Sequence, residues 1–214
     1  SDEIILKAKE VLKSPGIPND LELIKKISNK NIPIISEIEF AYRYTNANII
    51  AVTGTNGKTT TTTLIYEILK SANLNVGVAG NIGNSFSLLI ARKNFDYVVL
   101  EISSFQLEHI KNFKPKIAII TNITKDHLER YNYSFQNYID TKFNISKNQV
   151  GSDFLVYDYD DFITNSEIKI KIIKSKKIGL SSKRNFNENQ VFVHKKTIYS
   201  HLKNNELMIP IENL

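Results

Sequence analysis

The chain has 214 residues, of which 42% are hydrophobic and 23% are charged, and it contains no cysteine. These values are ordinary for a globular protein, and the length allows one large core with a second small unit. Disulfide bonds and thiolate metal sites are excluded, and no apolar run is long enough to cross a bilayer. The first residues also lack a signal-peptide pattern, so we expect a cytoplasmic protein.

The formal net charge of +6 leaves two interpretations open. A basic surface can attract nucleic acid or anionic lipid, whereas lysines scattered over a solvated surface carry no such meaning. The lysines do not gather in one block, so we favour the second interpretation and expect no nucleic acid partner and no membrane insertion. A basic balance also suits a protein that handles nucleotide phosphates.

The first 47 residues carry short, irregular patterns around a rigid turn at 14–18. From residue 48 the pattern becomes regular. Continuous apolar runs predict buried strands at 49–52, 97–100, 117–120 and 154–157. Helical patterns lie between these runs, so the sequence predicts an α/β fold with a mostly parallel sheet covered by helices on both faces.

Two helices and a change of pattern complete the prediction. One helix runs from 59 to about 71, and a second follows Ser134 to about 147. The first of them is expected to pack through one stripe, made of Leu64, Ile65, Ile68, Leu69 and Ala72. Beyond residue 163, short strands with one wet face are predicted at 168–173, at 191–193 and around Ile198. The segment 181–190 reads as a polar, mobile linker.

A glycine-rich segment joins the first predicted strand to the first of these helices. Its residues are Gly54, Thr55, Asn56, Gly57, Lys58, Thr59 and Thr60. In such a loop the glycines let backbone N–H groups converge on a phosphate, and the helix dipole adds positive charge. Lys58 would reach the β- and γ-phosphates, and the Thr59 hydroxyl would ligate Mg²⁺. The usual glycine five positions before the Gly–Lys pair is replaced by Val52, so this is a shortened variant.

Polar side chains follow two further predicted strands. Glu101 comes directly after the strand 97–100, and Asp126 and His127 follow the strand 117–120. Ligands of an open parallel sheet bind beyond the carboxyl ends of its strands, so these side chains share an edge with the glycine-rich loop. A divalent ion at that edge would need such oxygen ligands. A surface carboxylate and a packing histidine are the plainer alternatives.

A lysine interrupts the apolar stripe of the helix that follows Ser134. Lys142 lies on the same face as Phe135, Tyr138, Ile139 and Ser146. Burial of an unpaired ammonium is costly. Either the charge reaches water along a packed stem, or the lysine is functional, with a lowered pKa or a chemical modification.

These motifs resemble the Mur ligases, which build the peptide of peptidoglycan. The loop 54–60 is similar to their ATP loop, and 122–130 is similar to a second shared motif. Three segments resemble the branch of the family that adds D-glutamate, namely 14–17, 80–83 and 101–108. The resemblance extends from about residue 11 to residue 147 and implies an ATP-dependent, amide-forming ligase with the α/β fold described above.

The resemblance also implies a reaction. ATP phosphorylates the terminal carboxylate of UDP-N-acetylmuramoyl-L-alanine, and the amine of D-glutamate attacks the acyl phosphate. Lys58 and the loop would hold the phosphates, Thr59 and Glu101 would bind one Mg²⁺, and His127 would bind a second. Lys142 matches a carbamylated lysine of the family, and a carbamate can ligate metal. This places Lys58, Glu101, His127 and Lys142 among the expected catalytic residues.

Four residues are implied in binding the muramoyl substrate. Asn81 and Ser103 would contact its body, while Ser14 and Gly16 would approach its uridine-diphosphate end. Family members have three domains, and 214 residues have no room for them. We expect residues 1–47 to be the end of a uridine-nucleotide-binding domain and residues 48–214 to be an incomplete ATP-binding central domain, with no third domain. We expect a monomer that binds nucleotide weakly and does not turn over alone.

Alternative functions remain open at this point. Another Mur-type ligase, such as a folylpolyglutamate synthase, is disfavoured by the segment 103–108. A noncatalytic phosphate-loop switch would not need Asn81, Ser103 or Lys142. Nucleic acid binding driven by the net charge predicts a steep salt dependence, but no basic stripe or recognised motif supports it.

Overall fold

The computed structural model describes residues 2–182, 190–202 and 205–210. The strands are β1 (Val11–Leu12), β2 (Ile34–Ile35), β3 (Asn48–Thr53), β4 (Val76–Gly80), β5 (Tyr97–Glu101), β6 (Ile117–Ile120), β7 (Phe154–Asp158), β8 (Lys176–Ser181), β9 (Gln190–His194), β10 (Thr197–Leu202) and β11 (Asn205–Pro210). The α-helices are α1 (Asp2–Ile5), α2 (Glu22–Asn29), α3 (Glu37–Tyr42), α4 (Lys58–Ser71), α5 (Phe86–Arg92), α6 (Ser104–Leu107), α7 (Phe135–Phe143) and α8 (Phe162–Ile170). Short 3-10 turns cover Leu128–Tyr131 and Asn144–Ser146.

One large sheet organises the molecule, with strand order β11-β10-β9-β8-β7-β6-β3-β5-β4. The pairs from β4 through to β9 are parallel, and β10 and β11 are added antiparallel at one edge. The predicted α/β class with a mostly parallel sheet is therefore confirmed. The edge hairpins also confirm the predicted strands at 191–193 and around Ile198.

The central position of β3 follows from its sequence. Residues 49–53 are all buried, as expected for a central strand of a parallel sheet whose two faces are both covered by other elements. α4 packs against β3, β4 and β5, while α8 packs against β7. The carboxyl ends of β3, β4, β5 and β6 consequently meet at one edge of the sheet, and that edge carries the candidate site.

The N-terminal segment packs on the same core. β1 and β2 form a small parallel pair, and α3 contributes Ile38 and Ala41, both fully buried, to the main hydrophobic cluster. The Glu39 carboxylate is also fully buried and accepts the backbone N–H groups of Lys111, Asn112 and Phe113 at 2.8–2.9 Å. The boundary after residue 47 stays a prediction, since α3 adds side chains to the core of the large sheet.

Two sequence predictions were wrong. The α4 stripe does not face the sheet as a whole, because Leu64 and Ile68 are 59% and 56% exposed, whereas Thr62 is fully buried. No strand forms at 168–173: residues 168–170 end α8, whose start is capped by Asp161 through the N–H of Thr164, and residues 171–173 are irregular.

Two further findings bear on the sequence predictions. Most of the predicted linker, 183–189, lies outside the described residues. Within the described ranges, no helix is long and apolar enough to cross a membrane.

Candidate nucleotide and metal site

The glycine-rich loop connects β3 to α4, as predicted. Gly54 and Gly57 have φ angles of 149° and 79°, which side chains other than glycine rarely adopt. A Cβ atom on Gly54 would lie 1.9 Å from the Thr121 hydroxyl, so the tight approach of the loop to β6 requires glycine here. The loop is also tied down from outside, since the N–H of Asn56 donates to the Asn122 side chain at 3.0 Å.

The start of α4 is left open to an anion. Within the described ranges, no side chain caps this helix and no acidic residue lies in its first turn. The first N–H groups of a helix lack intrahelical acceptors and attract negative charge. The Lys58 ammonium donates to the carbonyl oxygens of Gly54 and Thr55, at 3.1 and 2.9 Å, and so lies over the loop. Thr59 and Thr60 are exposed in the same turn.

Three of the predicted residues meet at the ends of β4 and β5. Glu101 is 1% exposed, and its carboxylate accepts the Thr59 hydroxyl at 2.8 Å and the Asn81 amide at 2.7 Å. Gly80 and Glu101 are register partners, which explains why Asn81 falls beside the carboxylate. A buried carboxylate beside a hydroxyl at a helix start offers the oxygen ligands that Mg²⁺ prefers.

Lys142 is 2% exposed and does not reach water. Its Nζ atom donates to the carbonyl oxygen of Gly54 at 2.7 Å and lies 4.6 Å from the centre of the Tyr138 ring. Burial, and to a lesser extent the charge of Lys58, lower the pKa of Lys142 to about 7. The snorkelling alternative is therefore wrong, and α7 delivers an amine that is partly neutral at neutral pH.

His127 lies on the turn after β6, with a φ angle of 50° and a largely exposed side chain. Its ring nitrogens are 3.6 Å from the Asp126 carboxylate and 3.8 Å from that of Glu129. Within the described part of the chain, no group of three or more acidic, histidine or cysteine side chains is arranged to hold a metal ion. A joint metal site of Thr59, Glu101, His127 and Lys142 thus stays a prediction. Of these four residues, Thr59 and Glu101 are in direct contact through a hydrogen bond.

The other residues predicted to bind the muramoyl substrate lie in separate places and do not contact Glu101. The Ser103 hydroxyl caps α6 and, with Gln106, forms a capping box, so its interactions are local. Ser14 and Gly16 lie on an exposed turn, closed by a hydrogen bond from the N–H of Ile17 to the Ser14 carbonyl. These two residues lie outside the Glu101 cluster, and their role remains a prediction.

Two supporting residues were missed by the sequence analysis. Asn122 holds the loop by accepting from Asn56 N–H and donating to the Asn56 carbonyl. The Tyr138 hydroxyl lies 3.1 Å from that of Thr55, while the Tyr138 ring faces Lys142. Both residues stood inside segments already singled out, but their contacts join positions 66 and 83 residues apart.

This geometry defines a class: an α/β domain whose glycine-rich loop lies beside a buried, acidic strand end. Comparison with known proteins gives the family. The model of the Mur ligase middle domain matches residues 52–213, and the chain belongs to the Mur ligase family.

Curated relatives include proteins named UDP-N-acetylmuramoylalanine–D-glutamate ligase. The protein of Bacteroides thetaiotaomicron is 55% identical over 168 residues, which are 78% of this chain and 38% of the relative. The protein of Christiangramia forsetii is 42% identical over 210 residues, which are 98% of this chain and 47% of the relative. The chain thus spans less than half the length of these relatives.

Solved structures show the same fold. A UDP-N-acetylmuramoyl-L-alanyl-D-glutamate–2,6-diaminopimelate ligase is similar with a TM-score of 0.64 and 19% identity, over 94% of this chain and 54% of that chain. The MurF ligase from Thermotoga maritima, in complex with ADP, is similar with a TM-score of 0.56 and 16% identity, over 96% and 58% respectively.

Proposed function

We propose that this chain supplies the nucleotide and metal half of an ATP-dependent ligase that joins D-glutamate to UDP-N-acetylmuramoyl-L-alanine. The observation that carries the proposal is the cluster of Glu101, Thr59 and Asn81 beside an uncapped phosphate-loop helix. The names of the relatives at 42–55% identity support this pair of substrates. We place the reaction in the cytoplasm and the product in peptidoglycan precursor synthesis.

The residues present fit ATP and Mg²⁺. The N–H groups at the start of α4 and the Lys58 ammonium form a positively charged site for an anion. Gly54, which has no room for a side chain, leaves the loop backbone unobstructed. Glu101 and Thr59 present hard oxygen atoms next to it. When bound, the metal would neutralise charge on the phosphates during transfer to the substrate carboxylate.

The remaining roles follow from position. Lys58 would leave the loop carbonyls and bind phosphate oxygens, while Asn81 fixes one Glu101 oxygen atom and leaves the other near Thr59. A carbamate on Lys142 would add a carboxylate close to the loop, and His127 would bind a second ion. Ser103, Ser14 and Gly16 would lie along the muramoyl substrate. We retain a monomer with an N-terminal remnant over 1–47 and a central domain over 48–214.

Nucleotide binding by the 214-residue chain is the first test. Titration with Mg²⁺·ADP, followed by calorimetry, should give weak binding that falls roughly 10- to 100-fold in the Lys58→Ala variant, since a charge-assisted contact is lost. Lys70→Ala is the matched control, because Lys70 lies on the last turn of the same helix. Equal loss in both variants, or equal affinity in all three proteins, would contradict the assignment of the loop.

The reaction itself is tested in a chimera. Residues 11–181 of this chain would replace the matching segment of the Christiangramia forsetii relative, to which the chain is similar over 98% of its length. We expect phosphate release from ATP in the presence of UDP-N-acetylmuramoyl-L-alanine to require D-glutamate, and L-lysine or a folate substrate to give none. A chimera that folds and responds to the folate substrate would favour the folylpolyglutamate alternative.

A further inference from the structure

A buried ionic cluster joins three segments of the chain around one carboxylate. The Glu108 side chain, 9% exposed, accepts two hydrogen bonds from Arg130, at 3.1 Å from Nε and 3.0 Å from Nη2. The Asn19 amide donates to the same carboxylate at 2.9 Å, and the Lys13 ammonium lies 4.0 Å from it. Residues from the N-terminal segment, from the end of α6 and from the turn after β6 therefore share Glu108.

The cluster places several charged groups where little water reaches them. Lys13 is 2% exposed and donates to the Ile17 carbonyl at 2.8 Å and to the Asn19 side chain at 2.6 Å. Burial lowers the pKa of Lys13, and the nearby Arg130 charge lowers it further. Two cations thus oppose one carboxylate. A buried ion pair is weak evidence for net stability, but the loss of one partner leaves an uncompensated buried charge and is costly.

Arg130 connects the cluster to His127. Arg130 lies three residues after His127, on the 3-10 turn Leu128–Tyr131, and its guanidinium is 4.8 Å from the centre of the Phe105 ring. The same ring lies 5.4 Å from the His127 ring. Because His127 has a positive φ angle, its backbone needs support from its surroundings. The backbone N–H of Arg130 donates to the His127 carbonyl at 3.1 Å, so the residue that Glu108 holds also closes the turn at His127.

Lys13 and Asn19 connect the cluster to the turn that carries Ser14 and Gly16. Lys13 begins this turn, and its ammonium reaches across to the carbonyl of Ile17 and the side chain of Asn19. The turn is thus wrapped around a buried ammonium. Its position is tied to Glu108 by the hydrogen bond from Asn19.

We propose that Glu108 is a positioning residue, one carboxylate that holds the turn 13–19 and the turn 127–131 in a fixed relation. The inference rests on the proposed function, in which these turns serve the uridine-diphosphate end of the substrate and the second metal ion. Glu108 touches neither ligand in this role.

Amide hydrogen exchange measured by NMR on the 214-residue chain tests the link. The reporters are hydrogen-bonded amides in each turn, Ile17 in the first and Arg130 in the second. In Glu108→Gln, exchange at both reporters should accelerate roughly tenfold relative to amides of β3. In Asn19→Ala, a change in the first turn should likewise accelerate exchange at Arg130. Glu67→Gln, which changes an exposed side chain on α4, should change neither reporter.

A second readout separates positioning from stability. Mn²⁺·ADP should broaden the imidazole signal of His127, one of four histidines in the chain, with His127→Gln giving the assignment. Glu108→Gln should reduce this broadening at equal nucleotide concentration, whereas Glu39→Gln, which removes a buried carboxylate outside the cluster, should not. If the His127 signal is not broadened in the wild-type chain, the metal site of the proposed function is contradicted. The hydrogen-exchange comparison would still decide whether Glu108 links the two turns.

The proposal is overturned if Asn19→Ala accelerates exchange at Ile17 but not at Arg130, if Glu108→Gln accelerates only one of the two reporters, or if β3 amides accelerate to the same extent. Asn19 is exposed, so Asn19→Ala keeps the test decisive even where Glu108→Gln does not fold.

Discussion

The side-chain nitrogen of Lys142 lies 2.7 Å from the carbonyl oxygen of Gly54, which joins α7 directly to the phosphate loop. This contact explains why a lysine interrupts an apolar stripe. The amine is buried against the Tyr138 ring, yet it meets the first glycine of the loop that would hold ATP. Its lowered pKa makes the neutral form available near pH 7.

A neutral, buried amine is the reactive form for carbamylation. Its nitrogen lone pair attacks the carbon of CO₂, and an N–C bond forms as the π electrons of one C=O bond move to oxygen. One N–H proton is released to solvent, which leaves the carbamate anion. We predict that ¹³C-bicarbonate gives a carbamate carbon signal in NMR spectra of the chain at about pH 8, where Lys142 is mostly neutral. The signal should disappear in Lys142→Met.

The control for this experiment is Lys147→Met. Burial also lowers the pKa of Lys147, but its ammonium donates to the Ile110 carbonyl, away from the phosphate loop. The carbamate signal should survive in this variant. Survival in Lys142→Met instead would assign the carbamate to another amine and remove Lys142 from the metal site.

The pKa of Lys142 also predicts how stability depends on pH. The folded value of about 7 is below the ordinary value of 10.5, so between these limits the unfolded chain binds more protons. The contribution of Lys142 to the free energy of unfolding therefore rises with pH in this window and is least favourable below it. Lys142→Met removes this dependence. The difference in stability between variant and wild type should shift by up to about 1.4 kcal/mol per pH unit from about pH 7.5 to about pH 9.5, in favour of wild type.

Urea unfolding in CO₂-free buffer, followed by circular dichroism, measures this difference. The comparison with Lys142→Met cancels the titration of the other lysines and of the tyrosines. A difference that does not change with pH would mean that Lys142 keeps an ordinary pKa in the folded chain.

Much of the fold was accessible from sequence, because its signals are local. The apolar runs of β3, β5, β6 and β7, the glycine spacing of the loop and the stripe around Lys142 each lie within a few residues. The region of α8 was misread because Ile168, Ile170 and their lysine neighbours alternate as a strand would. The Asp161 cap, with Thr164 three residues later, was the signal that favoured a helix.

The site was less accessible, because its contacts are set by strand order. Asn81 reaches Glu101 only because β4 and β5 are neighbours with Gly80 opposite Glu101. Nothing in a single sequence fixes that register. The contacts of Glu108 could not be predicted for the same reason, because its partners Lys13 and Arg130 come from segments far apart in the chain.

Gly54→Ala tests how closely the loop must approach β6. With a φ angle of 149° and a Cβ position 1.9 Å from the Thr121 hydroxyl, alanine forces the backbone to move. We expect a loss of about 1–3 kcal/mol in unfolding free energy and weaker Mg²⁺·ADP binding. Gly16→Ala is the control, because a Cβ there meets no atom within 4 Å. Equal stability of the two variants would show that the loop has room to rearrange.

Glu39→Gln tests whether stability and function are separate in this chain. The fully buried Glu39 carboxylate accepts three consecutive backbone N–H groups, from Lys111, Asn112 and Phe113. Glutamine removes the charge and turns one acceptor into a donor, so we expect a loss of about 2–4 kcal/mol in urea unfolding. Glu67→Gln, which breaks an exposed ion pair with Lys70, should lose at most about 0.5 kcal/mol.

Nucleotide affinity per folded molecule should be unchanged in Glu39→Gln, because Glu39 contacts the loop before β6 and none of the phosphate-loop residues. If Mg²⁺·ADP binding fell in step with stability, the anchoring of residues 111–113 would be part of the site. The clean separation of Lys58 and Glu39 effects that the structure predicts would then be wrong.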